Sequence, residues 1–164
     1  MSNPSLAELV LFRAQVGSAI RAFFALRGVV ELTTPSLVSC PGMEPHLRAF
    51  AISPVEAVEV RDRWLHTSPE LAVKTVLHGL DFDVFVLSRC YRDEPPTSLH
   101  HPEFTMLEWY RRHSDYTLVM SDCEALDAAM VATGFAYKPE QRAENLALFS
   151  RMLPQVRCVR RPGA

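Results

Sequence analysis

The stretch from Arg92 to Tyr110, RDEPPTSLHHPEFTMLEWY, constrains this chain more than any other. Just before it, residues 82 to 91 (FDVFVLSRCY) alternate large and apolar side chains without glycine or proline, as a strand requires. Pro95-Pro96 ends that strand, because proline has no N–H to give to a ladder. From Phe104 to Tyr110 an extended, aromatic-rich pattern resumes. Two strands joined by a polar loop would bring an arginine, two histidines and three glutamates (Glu94, Glu103, Glu108) close together. Side chains on a strand repeat with period two, so Arg92 and Glu94 share one face, and Phe104, Met106, Glu108 and Tyr110 share another. If the strands pair, one surface offers a guanidinium, carboxylates, an aromatic plane and a phenol. Such a floor suits a ligand that carries an anion and an ammonium together.

Alternating polar residues also arise simply because one sheet face meets water. Taken singly, each of these side chains is better explained that way. The cluster is different. Phe104, Met106 and Tyr110 make this face too apolar for a plain solvent face, and a carboxylate at Glu108 among them is costly unless a cation meets it.

Composition narrows the class. The chain has 164 residues, 48% hydrophobic and 22% charged, which is globular and long enough for one core. Seventeen basic against nineteen acidic residues lack the electropositive footprint of an autonomous nucleic-acid binder. Cys40, Cys90, Cys123 and Cys158 are far apart, without a CxxC, so neither zinc nor a disulfide framework is indicated. No apolar run reaches membrane-spanning length, and Glu8 interrupts the only short apolar stretch at the N-terminus, which argues against a signal peptide. A cytoplasmic location is expected.

The periodicity predicts a helix from about Leu6 to Leu26, with Leu9, Phe12, Val16, Ile20 and Phe23 on one stripe and Gly28 as the C′ glycine. A strand over Val29 to Leu32 follows, then Pro35. Residues 36 to 63 read as loop at first (Cys40-Pro41-Gly42) and are ambiguous afterwards. Ser68 as N-cap and Pro69 at the first helical position start a helix that Gly79 closes. Asp115 caps a last helix in which Val119, Cys123, Leu126 and Met130 lie on one face before Gly134. Strands and helices mingle without regular βαβ alternation, so the expected class is α+β, an antiparallel sheet flanked by helices.

Residues 92 to 110 resemble motif 2 of the class II aminoacyl-tRNA synthetases, in the variant of the lysyl-tRNA synthetases. They are most similar to the short paralogues that attach a lysine-type amino acid to elongation factor P. The run His101-Pro102-Glu103-Phe104-Thr105-Met106-Leu107-Glu108-Trp109-Tyr110-Arg111 carries the resemblance, which is far more specific than a short glycine motif. Residues Phe23 to Pro35 resemble motif 1, the helix, strand and proline through which the family dimerises, and Trp64 to Glu70 resembles the strand and Ser-Pro-Glu turn before motif 2. The resemblance covers roughly residues 10 to 133. It implies short strands near Phe50, a partial class II catalytic core over residues 1–135, and a divergent tail over residues 136–164.

The resemblance also implies roles. Joining an amino acid to ATP brings two anions together, and a guanidinium that bonds both relieves their repulsion. Arg92 would be this catalytic group. Arg92, Asp93, Glu94, His100, His101 and Phe104 would bind ATP, with Glu94 accepting from the adenine amino group, Phe104 stacking on the purine and the histidines near the phosphates or ribose. Ser68, Pro69, Glu70, Glu108 and Tyr110 would line the amino-acid pocket, where the carboxylates meet the ammonium groups of lysine or β-lysine. Glu70 has a plainer explanation as an acidic residue favoured by a helix N-terminus. Pro35 would belong to a homodimer interface.

This chain departs from the family pattern at His101, where the family usually has asparagine, and at Pro95 and Thr33, usually acidic positions. Its six glycines are too scattered to form the glycine-rich third motif, whose arginine clamps the adenine's other face, and the acidic magnesium ligands just before that motif are missing with it. Mg2+ is expected for the family, but no metal ligand is assigned here. Two readings follow. In one, the chain belongs to an ATP-dependent ligase, impaired as it stands, that passes lysine or β-lysine to elongation factor P. Transfer to tRNA is less favoured, because no anticodon-binding barrel precedes motif 1. In the other, it is a catalytically silent module that dimerises or binds a nucleotide.

Overall fold

The computed structural model describes residues 5–53, 63–97 and 100–133. Helix α1 spans Leu6–Ala25 and starts on a capping box: Ser5 Oγ accepts the Glu8 N–H (3.3 Å), and the Ser5 N–H donates to Glu8 Oε2 (2.6 Å). Of its apolar stripe, Ile20 and Phe23 are buried, and Phe24 beside them is buried too. The helix stops with Leu26 as C-cap, so Gly28 lies two residues beyond the cap, not one, and takes the left-handed φ of 69° that lets the chain turn away.

Strand β1 (Val30–Glu31) is shorter than the expected Val29 to Leu32. The segment read as loop contains two short strands, β2 (Leu37–Val38) and β3 (Ala51–Ile52), and the second is the strand expected near Phe50. Both pair antiparallel with β4 (Arg63–Leu65), in the order β2-β4-β3. Two-residue strands leave no periodicity to detect, which explains the ambiguity.

Helix α2 covers Glu70–Leu77, with Pro69 before its first residue and no side chain capping it. The expected Ser68 cap is therefore replaced by the proline, whose φ of −78° already suits a helix and whose carbonyl accepts the Val73 N–H (2.9 Å). Strand β5 (Val84–Tyr91) then pairs antiparallel with β6 (Glu103–Tyr110) over their full eight residues, from Val84↔Tyr110 to Tyr91↔Glu103. This is the expected ribbon. β1 joins it on the other edge in parallel, Val30↔Val84, so the larger sheet is mixed. Val73 of α2 packs on Val84 and Val86 of β5, with Leu32, Leu77, Leu80 and Tyr110 around them. Burying three such side chains contributes about 5–9 kcal/mol before entropy is set against it.

Helix α3 runs Tyr116–Thr133. Asp115 caps it as expected, its Oδ1 accepting both the N–H (2.9 Å) and the hydroxyl of Thr117. Leu126 is buried and Val119 and Cys123 partly so, whereas the side chain of Met130, along with Gly134 and the tail over residues 136–164, lies outside the described residues. The chain divides into two units, residues up to 27 with those from 115 on, and residues 28–114. In the first, α1 and α3 lie against each other. The second holds both sheets, α2 and every candidate site residue. No helix among the described residues is long and apolar enough to cross a membrane.

Candidate active site

Register decides which residues of β5 and β6 look the same way. Directly opposed residues share a face, so Val86 with Glu108, Ser88 with Met106 and Cys90 with Phe104 define one surface, and Tyr110 sits on it opposite Val84. Arg92 falls one step past the last pair, with its N–H on the Pro102 carbonyl (2.8 Å), so its parity matches Cys90. Its guanidinium carbon lies 4.9 Å from the centre of the Phe104 ring, a cation–π contact. Its Nε is buried and has no hydrogen-bond partner. Buried guanidinium N–H groups are rarely left so, and a ligand oxygen would satisfy this one. Because Arg92 covers one face of Phe104, a stacked purine would have to take the other face or displace it.

Further along this surface the Tyr110 hydroxyl donates to Glu108 Oε2 (2.8 Å). Burial pushes the Glu108 carboxyl above its ordinary range; the Tyr110 hydrogen bond opposes this, Glu70 adds to it, Lys74 opposes it and Glu44 adds again. Burial likewise raises the Tyr110 phenol, helped by the Glu108 charge. Cys90 is pushed up to about 12, first by burial and then by Glu108, with Arg92 pulling the other way, so it stays a thiol at neutral pH. Glu70, at the start of α2, pairs with Lys74 one turn on (2.5 Å). Pro69 is fully buried and Ser68 partly so, which fixes where α2 presents Glu70.

The remaining candidates are arranged less tightly. The Glu94 N–H folds back on the Arg92 carbonyl (2.8 Å), while Asp93 is exposed. His100 and His101 are both exposed. His100 Nδ1 is 3.2 Å from Thr97 Oγ1, and His101 Nδ1 lies 3.1 Å from the Glu103 nitrogen and 2.9 Å from its carbonyl oxygen, serving one of them at a time. Glu103 corrects the expectation of three clustered glutamates: it belongs to the opposite face, where Arg89 pairs with it (2.5 Å). Odd and even positions diverge, and the cluster keeps Glu108.

Sequence reasoning missed four residues. Glu44, on the β2–β3 connection, adds its charge to those acting on Glu108; a Cβ on Gly42 would lie 2.8 Å from Glu44 Oε2 and 2.5 Å from Thr67 Oγ1, so glycine suits that position. Lys74 neutralises Glu70. The buried His66 reaches the Arg89 carbonyl through Nε2 (2.6 Å) and ties the Ser68 turn to β5. Arg48 bonds Asp93, 45 positions away. Only Lys74 had a visible signal, four residues after Glu70 on a helix. No group of three His, Cys, Asp or Glu side chains able to hold a metal occurs among the described residues. No step below is routed through the magnesium that the resemblance implies.

The fold has a counterpart among solved aminoacyl-tRNA synthetases. The solved structure of asparaginyl-tRNA synthetase from Pyrococcus horikoshii, complexed with asparaginyl-adenylate, superimposes with a TM-score of 0.69 over 85% of this chain and 30% of its own, at 23% identity. The family model described as tRNA synthetases class II (D, K and N) matches residues 1–155, and the chain belongs to that family. Among curated proteins, the elongation factor P–(R)-β-lysine ligase of Actinobacillus succinogenes is 38% identical over 121 residues, 73% of this chain and 38% of that protein. The ligase of the same name from Haemophilus ducreyi is 35% identical over 133 residues, 74% of this chain and 41% of its own length. The chain thus spans about two fifths of the relatives it matches.

Proposed function

We propose that this chain supplies the nucleotide- and amino-acid-binding part of an ATP-dependent aminoacyl ligase of the lysyl-tRNA synthetase type. The carboxylate of lysine or β-lysine attacks the α-phosphorus of ATP; the new acyl–phosphate bond forms as the bond to pyrophosphate breaks. The acyl group then passes from the adenylate to an amine of elongation factor P, with tRNA the less favoured acceptor. Arg92 holds the carboxylate and the α-phosphate at once and offsets the charge gathering on phosphorus. Asp93, Glu94, His100, His101 and Phe104 serve the rest of the nucleotide. Ser68, Pro69 and Glu70 with Glu108 and Tyr110 take the amino acid, the carboxylates facing its ammonium groups. The observation that carries this reading is the placement of Arg92, its Nε unsatisfied, on the same sheet face as Glu108 and Tyr110.

Residues 1–135 form the core part in this reading, and residues 136–164 a divergent tail. Homodimerisation through the motif 1 region is supported by exposed Leu26 and, separately, by exposed Val30 and Pro35. The expected location is the cytoplasm. The test is ATP–pyrophosphate exchange with lysine and with β-lysine, alongside calorimetric binding of each. Binding with poor exchange is expected of these 164 residues, because the adenine's second face and the metal depend on residues they do not contain. The second reading is a silent dimerising or nucleotide-binding module. Calorimetry that detects neither amino acid, while ATP still binds, would select it.

A further inference from the structure

We propose that Arg48 is the positioning residue for Arg92, a role that rests on the nucleotide site described above. Arg92 stands where the β5–β6 ladder ends. Its N–H takes the last rung, on the Pro102 carbonyl (2.8 Å), and two residues after it Glu94 folds back on its carbonyl (2.8 Å). Beyond that, Pro95-Pro96 have no N–H with which to fix the loop. What holds the turn from outside is Arg48. The Asp93 N–H donates to the Arg48 carbonyl (2.8 Å), and Arg48 Nε donates to the Asp93 carbonyl (3.1 Å). One residue thereby takes both backbone groups of the residue next to Arg92.

The clamp is itself anchored. Two residues after Arg48, the Phe50 carbonyl accepts the Leu65 N–H (3.0 Å), and β3 follows at once, paired to β4. Arg48 therefore transmits the position of the small sheet to the tip of the ribbon. Both of its bonds to the turn go to the backbone of Asp93. Lysine cannot replace it, because the lysine stem has a methylene where arginine has the Nε–H.

The experiment follows the Arg92 Nε–H signal in chain labelled with 15N-arginine, assigned by its loss in Arg92→Lys. In the wild type the Phe104 ring displaces this signal, and Phe104→Leu removes the displacement. Arg48→Ala and Arg48→Lys are both expected to move it toward the position of a free arginine. Both should also raise the ATP Kd about three- to tenfold, the loss of one charge-assisted hydrogen bond, and change the lysine Kd less than about twofold. Arg48→Lys keeps the stem and charge, so it decides the matter if Arg48→Ala fails to fold. An Arg92 signal that stays in place in the folded variants overturns the proposal, and so does a displaced signal with unchanged ATP affinity. Should the wild type bind no ATP, the ligase reading fails and the Arg92 signal alone decides the role of Arg48.

Discussion

Arg92 and Arg111 stand at opposite ends of the β5–β6 ribbon and are held in opposite ways, although Arg112 Nε, next to Arg111, is also buried without a partner. At the Val84–Tyr110 end Arg111, almost wholly buried, pairs with Asp83 (2.8 Å), and the same carboxylate accepts the Arg112 N–H (2.6 Å). There a charge is closed off by a partner in the chain and holds the strand ends together. At the Tyr91–Glu103 end Arg92 has an aromatic ring beneath it and no ion pair among the described residues. An arginine satisfied by its own chain is structural; one left unsatisfied beside an apolar face is available to something else.

The largest effect that would separate the two ends is on stability. Asp83→Ala leaves Arg111 without its carboxylate and should lower the unfolding free energy by about 2–3 kcal/mol, read by urea denaturation. Arg92→Ala loses only a cation–π contact and should stay within about 1 kcal/mol of wild type. Equal losses would break the comparison. Next, Arg92→Lys should weaken ATP binding by about tenfold or more, because an ammonium cannot bridge two anions as a planar fork does. Calorimetry showing intact affinity would place the nucleotide elsewhere.

A third test uses pH. The Glu108 carboxyl is raised, chiefly by burial, so in the folded chain it keeps its proton at pH values where the unfolded chain has released it. Stability should therefore be highest below the unfolded value, fall as pH rises toward the raised folded value, and level off above it. Binding of a diamine should run the other way and strengthen as Glu108 ionises, and Glu108→Gln should flatten both curves and weaken lysine at neutral pH. A neutral-pH affinity for lysine unchanged in that variant would remove Glu108 from the pocket. The smallest effect belongs to Lys74→Met. Its exposed pair with Glu70 contributes under about 0.5 kcal/mol, so thermal unfolding should barely move.

Much of this was legible in the residues themselves. The cap at Asp115 and the strand that Pro95 stops and Phe104 resumes are local signals, because they rest on neighbouring residues. Ser68 misled, since a serine before a proline reads as a cap, whereas the proline alone was enough to set the first turn. Glu103 misled for another reason. Proximity in sequence suggested one cluster, but alternation sends Glu103 and Glu108 to opposite faces. The short strand β3 could be seen only through the family resemblance, and β2 was not foreseen, because two residues make no pattern.

The sequence alone determined the family, the ribbon and the residue types on its surface, since these rest on motif and period, both carried by neighbouring residues. Tertiary structure decided the rest: the pairing of Cys90 with Phe104 that turns Arg92 toward the ring, and the hold of Arg48 on Asp93. Those contacts join positions 14 and 45 residues apart, and no local preference of the chain encodes a distance across that span.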